Sequence, residues 1–191
     1  MAHVSIIGTG NMGQAIAAVA GRGNHTVQLL GENDAATEVN GDIVVLAVPY
    51  PAVTDVIARR GDSLRGKIVV DITNPLNFET FDSLVVPADS SATAEIAAAL
   101  PQSRVVKAFN TTFAGTLAAG TVGPQTTTVL IAGDDTDAKS TLAGIVTSGG
   151  LKSIDAGSLV RARELEALGF LQISLAANEK VSWTGGFGVV A

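Results

Sequence analysis

Gly8-Thr9-Gly10-Asn11-Met12-Gly13 carries the strongest chemical signal in this chain. It fits G-x-G-x-x-G and follows the apolar run HVSIIG, so it places a tight turn between a strand and a helix. Gly8 allows the turn, and Gly10 lets the backbone approach a pyrophosphate. Gly13 lets the helix pack on its strand, so that the helix amino terminus faces the phosphates. In a chain with 21 glycines the same residues also read as an ordinary strand-to-helix turn. Their position after the first strand and ahead of an apolar helix favours dinucleotide binding.

Small polar groups recur where later apolar runs end. Ala47, Val48 and Pro49 follow a third strand, Thr73 and Asn74 a fourth, and Asn110, Thr111 and Thr112 a fifth. Singly these are turn chemistry. Together they surround one slot, as a nicotinamide and its ribose would need. The second strand ends at Gly31-Glu32-Asn33. An acid there favours NAD by accepting from the ribose 2′-hydroxyl; an arginine favours NADP by pairing with the 2′-phosphate. No lysine or arginine occurs from 23 to 58, so these residues lean to NAD.

Acid–base groups are sparse. His3 and His25 open strands, at the edge away from the slot. No spacing suggests a metal site or a nucleophile turn, and Asp134-Asp135 read as a helix start. Lys107 reads as snorkelling toward solvent, and Arg161, Arg163, Glu164 and Glu166 as intrahelical pairs. Reducing a ketone or imine calls for a proton donor; hydride transfer to a flavin-like ring needs mainly proximity and alignment. Asn110, Thr111 and Thr112, as the candidate catalytic group, suit the second reaction.

The elements that must hold these residues alternate throughout. Val/Ile-rich runs at 3–8, 25–31, 42–48, 67–73, 104–109, 127–133 and 151–157 are separated by helical patterns. The link between the second and third is only about ten residues, which predicts a reduced or absent helix. SSATAEIAAALP has a helix-start pattern close to a capping box. The expected fold is α/β: a doubly wound parallel sheet of the dinucleotide-binding Rossmann type, in one domain. Residues 1–123 would form the core and 124–191 an extension ending in the helix SLVRARELEALGFLQISLAANEK and a short tail. A hydrophobic content of 47% fits strands covered on both faces. A net charge of −6 without a basic cluster argues against nucleic acid or an anionic membrane. There is no cysteine and no signal-peptide pattern at the start, so the expectation is a cytoplasmic protein.

GTGNMGQAIA, LAVPY, VVKAFNT, AGDD and DAGSLVRARELE, in this order, resemble the enzymes that pass hydride between NADP and the deazaflavin coenzyme F-420. They also resemble the cytoplasmic reductase domains of the STEAP metalloreductases, which pass NADPH electrons to a flavin. The resemblance implies an NADP-dependent reductase with a flavin or deazaflavin as second substrate. It implies that Thr9 to Met12 hold the pyrophosphate, that Ala47 to Pro49 and Thr73-Asn74 line the path to the nicotinamide, and that Asn110 to Thr112 border the hydride-transfer position. Deazaflavin-linked relatives carry histidine where this chain has Asn110, which follows the metalloreductase pattern. Those metalloreductases carry a flavin-stacking tryptophan soon after the Asn-Thr pair, whereas NTTFAGTL offers only Phe113. The family reads Ser-Arg or a similar pair where this chain has Glu32-Asn33. NADP, favoured by the length of the resemblance, and NAD, favoured by the local charge, both stay open.

Two other readings use the same residues. A non-catalytic dinucleotide sensor would need the glycine turn alone. A homodimer would bury the helix EALGFLQISLAA and the tail TGGFGVVA against a second copy; packing within the chain would serve equally well.

Overall fold

Three runs, IVVL, IVVD and RVVK, set the architecture. They form β3 (Ile43–Leu46), β4 (Ile68–Asp71) and β5 (Arg104–Lys107), buried on both faces except at Arg104. Continuous β-branched runs of this kind belong to parallel strands with helices on either side. The computed structural model describes residues 1–190. It adds β1 (His3–Ile7), β2 (Thr26–Leu30), β8 (Thr128–Gly133) and β9 (Lys152–Gly157) in the order β2-β1-β3-β4-β5-β8-β9. β1 to β5 run parallel. The chain leaves β1 first to one side and then to the other, which opens a crevice at the carboxyl ends of β1 and β3.

Helices cover both faces. α1 (Asn11–Arg22), α4 (Ala114–Ala119) and α5 (Thr136–Ser148) bury Ile16, Leu117 and Leu142 against Ile6, Val45 and Val106. α2 (Tyr50–Leu64) and α3 (Ala92–Ala99) bury Val53 and Ile96 against Leu46 and Val69. As its length predicts, the link after β2 holds only a 3-10 turn, Glu32–Asp34. Ser91 caps α3 by accepting from the Ala94 amide at 3.0 Å. Glu95 does not complete a capping box; it accepts a hydrogen bond from the Tyr50 hydroxyl instead.

The sheet is mostly rather than wholly parallel. β8 pairs antiparallel with β5, through Val106 opposite Gly133 and Lys107 opposite Ala132, and β9 runs parallel to β8. The cause is the short α4. Six residues span about 9 Å, too little to carry the chain back along the sheet. A hairpin of β6 (Thr121–Val122) and β7 (Gln125–Thr126) then turns it in again. Gly133 makes the pairing possible, since a Cβ there would lie 2.7 Å from Val106 Cγ1.

A 3-10 turn, Leu159–Arg161, leads into α6 (Ala162–Ala177), which packs on α3 and β8. The tail after it folds onto its own chain. The Gln172 side chain donates to the Thr111 carbonyl at 3.2 Å and accepts from the Phe187 amide at 3.0 Å. Leu171 and Val190 stay exposed. Among the described residues, no helix is long and apolar enough to cross a membrane.

Candidate functional site

The glycine turn shows three different constraints. Gly8 has φ +119°, and a Cβ there would fall 2.1 Å from the Ala47 carbonyl oxygen. A Cβ at Gly13 would fall 2.1 Å from the Gly8 carbonyl oxygen, whereas one at Gly10 would meet nothing within 4 Å. Gly8 and Gly13 therefore serve the fold, and Gly10 leaves an open cradle. Gly10 is also the residue before α1, and that helix has no side-chain cap at its amino terminus. Uncapped amides and the positive end of the helix dipole face the cradle, an arrangement suited to an anion. Thr9, Gly10 and Asn11 are exposed and Met12 is half-buried.

At the end of β2 the acids differ in setting. Glu32 and Asn33 are exposed, while Asp34 turns back so that its carboxylate accepts from the Gly31 amide at 2.8 Å. A Cβ at Gly31 would lie 3.6 Å from both Asp34 Oδ2 and Thr9 Cγ2, so Gly31 lies between Asp34 and the glycine turn. Positive charge comes from beyond the segment without basic residues. The Arg60 guanidinium, on α2, donates to the carbonyls of Asp34 and, at 2.7 Å, Thr37.

Ala47 and Val48 are half-buried and Pro49 is exposed where the chain leaves β3. The loops after β4 and β5 are bound to each other and form the floor. Asn74 donates to the Asn110 carbonyl at 2.9 Å, and Asn110 donates to Asn74 Oδ1 at 2.9 Å and to the Leu165 carbonyl at 2.8 Å. Phe109, fully buried, is held at φ +62° just before Asn110, and Thr112 caps that bend by donating its hydroxyl to the Phe109 carbonyl at 2.7 Å. A bulky residue in this region costs on the order of 1–3 kcal/mol and persists where its surroundings enforce it. The Thr112 hydroxyl is thus spent on the fold. Thr73 Oγ1 and Asn110 Oδ1 are buried without a hydrogen-bond partner. Buried polar atoms are normally paired, and these two lack the usual partner.

Gly169 and Trp183 had no assigned place in the sequence reading. A Cβ at Gly169 would lie 2.3 Å from Asn74 Oδ1, so this glycine lets α6 close down on the Asn74–Asn110 pair. The mid-helix glycine in ALGF was the available signal. Trp183, from the tail, packs its ring 5.0 Å from that of Phe113 at a 56° tilt, while remaining half exposed. The aromatic neighbour of Phe113 thus comes from a distant segment.

Lys107 corrects the expectation of a solvent-facing lysine. It is fully buried, 2.8 Å from Asp71 Oδ2 and 3.0 Å from Glu166 Oε1. Glu166 therefore forms no intrahelical pair, although Arg161 and Glu164 do, at 3.1 Å. A strand lysine with partners on β4 and α6 cannot be told from a snorkelling one by its neighbours in sequence. Tyr50 retains its proton above the usual phenol range, first because it is partly buried and then through Glu95, with smaller contributions from Glu166 and Asp71. His25 bonds the Ala2 amide and Ser148, and His3 is exposed, both away from the crevice. Asp135 caps α5, accepting from the Ala138 amide at 2.7 Å, and Asp134 accepts from the Leu159 amide at 2.9 Å. A concavity of about 510 Å³ between α2 and α3 is lined by Arg59, Arg60, Arg65, Gln102 and Ser103. It lies near the starts of β4 and β5, at the opposite edge from the glycine turn.

Fold and glycine turn together define the class, a Rossmann-type α/β protein. Residues 3–75 match the family described as NADP oxidoreductase, coenzyme F420-dependent. The F420-dependent NADP reductase of Methanocaldococcus jannaschii is 33% identical over 160 residues, which cover 82% of this chain and 70% of that protein. The enzyme of the same name from Methanothermobacter thermautotrophicus is 31% identical, over 87% of this chain and 73% of its own. The chain belongs to this family of NADP oxidoreductases. The metalloreductase STEAP3 of Rattus norvegicus is 40% identical over 108 residues, 56% of this chain but only 21% of that protein. Among solved structures, a protein proposed to be an F420-dependent NADP-reductase, from Arthrobacter sp. FB24, superposes with a TM-score of 0.85 at 24% identity. That likeness, over 98% of this chain and 99% of the other, is one of fold.

Proposed function

We propose that this protein passes hydride between a nicotinamide dinucleotide, NADPH in preference to NADH, and a flavin or deazaflavin acceptor. The observation that carries the reading is the chemistry of the floor. Thr73, Asn74, Asn110 and Thr111 offer amide and hydroxyl groups and Thr112 holds their loop, while the ionisable groups beneath them are sealed and Tyr50 gives its hydroxyl to Glu95. Such a floor can orient two planar rings and offers no acid to protonate a carbonyl or imine.

The geometry supports the following roles. The cradle at Gly10 and the amides of Asn11 and Met12 receive the pyrophosphate. Gly31, Glu32, Asn33 and Asp34 border the adenosine ribose. Arg60 supplies the positive charge that a 2′-phosphate needs against Asp34. Ala47, Val48 and Pro49 form one wall, and Thr73 and Asn110 present their unpartnered oxygens to the nicotinamide end. A bound nicotinamide would supply the hydride. Phe113 backs Trp183, whose exposed face forms a ledge for the second ring.

Initial rates of NADPH and NADH oxidation, measured side by side without oxygen and with an F-420-type deazaflavin or a free flavin, test this. Turnover with at least one acceptor and a lower KM for NADPH are expected. Tight dinucleotide binding without turnover on any acceptor would contradict the enzyme and leave a sensor. A lower KM for NADH would show that Asp34, not Arg60, sets the preference.

A further inference from the structure

The proposed reaction uses no charged side chain, yet the floor rests on three. Lys107 Nζ lies 2.8 Å from Asp71 Oδ2 and 3.0 Å from Glu166 Oε1, with all three side chains at most 1% exposed. It also donates to the Thr73 carbonyl at 2.7 Å. Formally, two negative charges face one positive charge. The surplus carboxylate is held by neutral donors. Glu166 accepts from the amides of Ala92, at 2.9 Å, and Thr93, at 3.2 Å, at the amino end of α3. Asp71 accepts from the Thr73 amide at 2.8 Å, and the Thr93 hydroxyl lies 2.7 Å from Asp71 Oδ2 and 3.2 Å from Glu166 Oε1.

A tie between strands needs one carboxylate per ammonium. A second, desolvated carboxylate raises the cost of folding unless something else uses it. Its field is weakly screened inside the protein and extends beyond the cluster. Burial and Glu95 chiefly raise the Tyr50 phenol at the start of α2, and Glu166 and Asp71 add to that rise. Thr73 is bonded to the cluster through its backbone amide and carbonyl, and its buried hydroxyl has no hydrogen-bond partner.

We propose that Asp71, Lys107 and Glu166 form a buried electrostatic bias, whose surplus negative charge favours the cationic, oxidised nicotinamide over the neutral, reduced one. The inference rests on the functional reading above, in which the nicotinamide end lies over Thr73 and Asn110. The charge balance is simple. The reduced ring loses a hydride, two electrons and a proton, and gains one positive charge; the flavin or deazaflavin accepts that hydride and is reduced. The cluster lowers the energy of the oxidised ring and so promotes release of the hydride. Asp71 and Glu166 are positioning residues in this scheme, acting through space.

Calorimetric titrations of the whole protein with NADP⁺ and with NADPH, for wild type and Glu166→Gln, provide the test. The preference for NADP⁺ over NADPH should fall roughly tenfold in the variant, the scale of one unit charge acting across two or three residue layers at an effective dielectric of about 20. Glu166→Asp, which keeps the charge, should keep most of that preference. Asp71→Asn removes the same charge from a different strand and should shift the ratio the same way; it carries the test if Glu166→Gln does not fold. Equal weakening of both forms, with the ratio unchanged, would make the cluster a structural tie and overturn the inference. Failure of the wild type to bind either form would overturn the functional reading and this inference with it.

Discussion

One added methyl group would act in opposite ways at Gly8 and at Gly10. Gly8→Ala puts a Cβ 2.1 Å from the Ala47 carbonyl at a φ of +119°, so it should destabilise the fold by about 3 kcal/mol or more. Gly10→Ala meets nothing within 4 Å, so the melting temperature should hardly move. It fills the cradle, however, and should weaken dinucleotide binding about tenfold or more, a loss on the scale of one or two displaced hydrogen bonds. Thermal melts and titrations on the two variants separate these effects; equal binding by Gly10→Ala would remove the cradle from the site. This division of labour was legible from the spacing of the glycines. The bond from Gly31 to Asp34 after β2 was not. Strand alternation ends at Leu30, and the 3-10 turn after it exposes Glu32 and brings Asp34 onto Gly31. Lys107 was misjudged for a similar reason, since its partners come from β4 and α6.

At the scale of elements, α6 and the tail complete the site. Gln172 joins the Phe187 amide to the Thr111 carbonyl, and so ties the ledge-bearing tail to the loop after β5. Gln172→Leu should loosen the tail. The chain has one tryptophan, so intrinsic fluorescence reads Trp183 alone. Its emission should shift to the red in the variant, and the KM for the acceptor should rise severalfold while dinucleotide affinity stays within about twofold. An unchanged spectrum and an unchanged acceptor KM would detach the tail from function. The strands, their order of appearance and the weak link after β2 could be read from periodicity and length. The reversal of β8 could not, because a parallel and an antiparallel edge strand share the same apolar run. The Trp183–Phe113 contact was also out of reach, since it joins the loop after β5 to the last turn of the chain.

Across the whole molecule, the crevice is divided between two supports. The sheet from β1 to β5 presents the glycine turn and the Asn-Thr loops at one edge, while β8, β9 and α6 back that edge from the side. The first support is what the motif and the strand–helix alternation predicted. The second depends on contacts between distant segments, such as Gly169 against Asn74, which only the folded chain reveals. The account requires that hydride pass directly between two rings held in that one crevice. The most direct check uses NADPH deuterated at the transferable position of its nicotinamide, with a deazaflavin acceptor, whose accepting C5 carbon does not exchange its hydrogen with water. Deuterium recovered on that carbon is the predicted result. Unlabelled reduced deazaflavin, or none at all, would contradict direct transfer and the function proposed for the site.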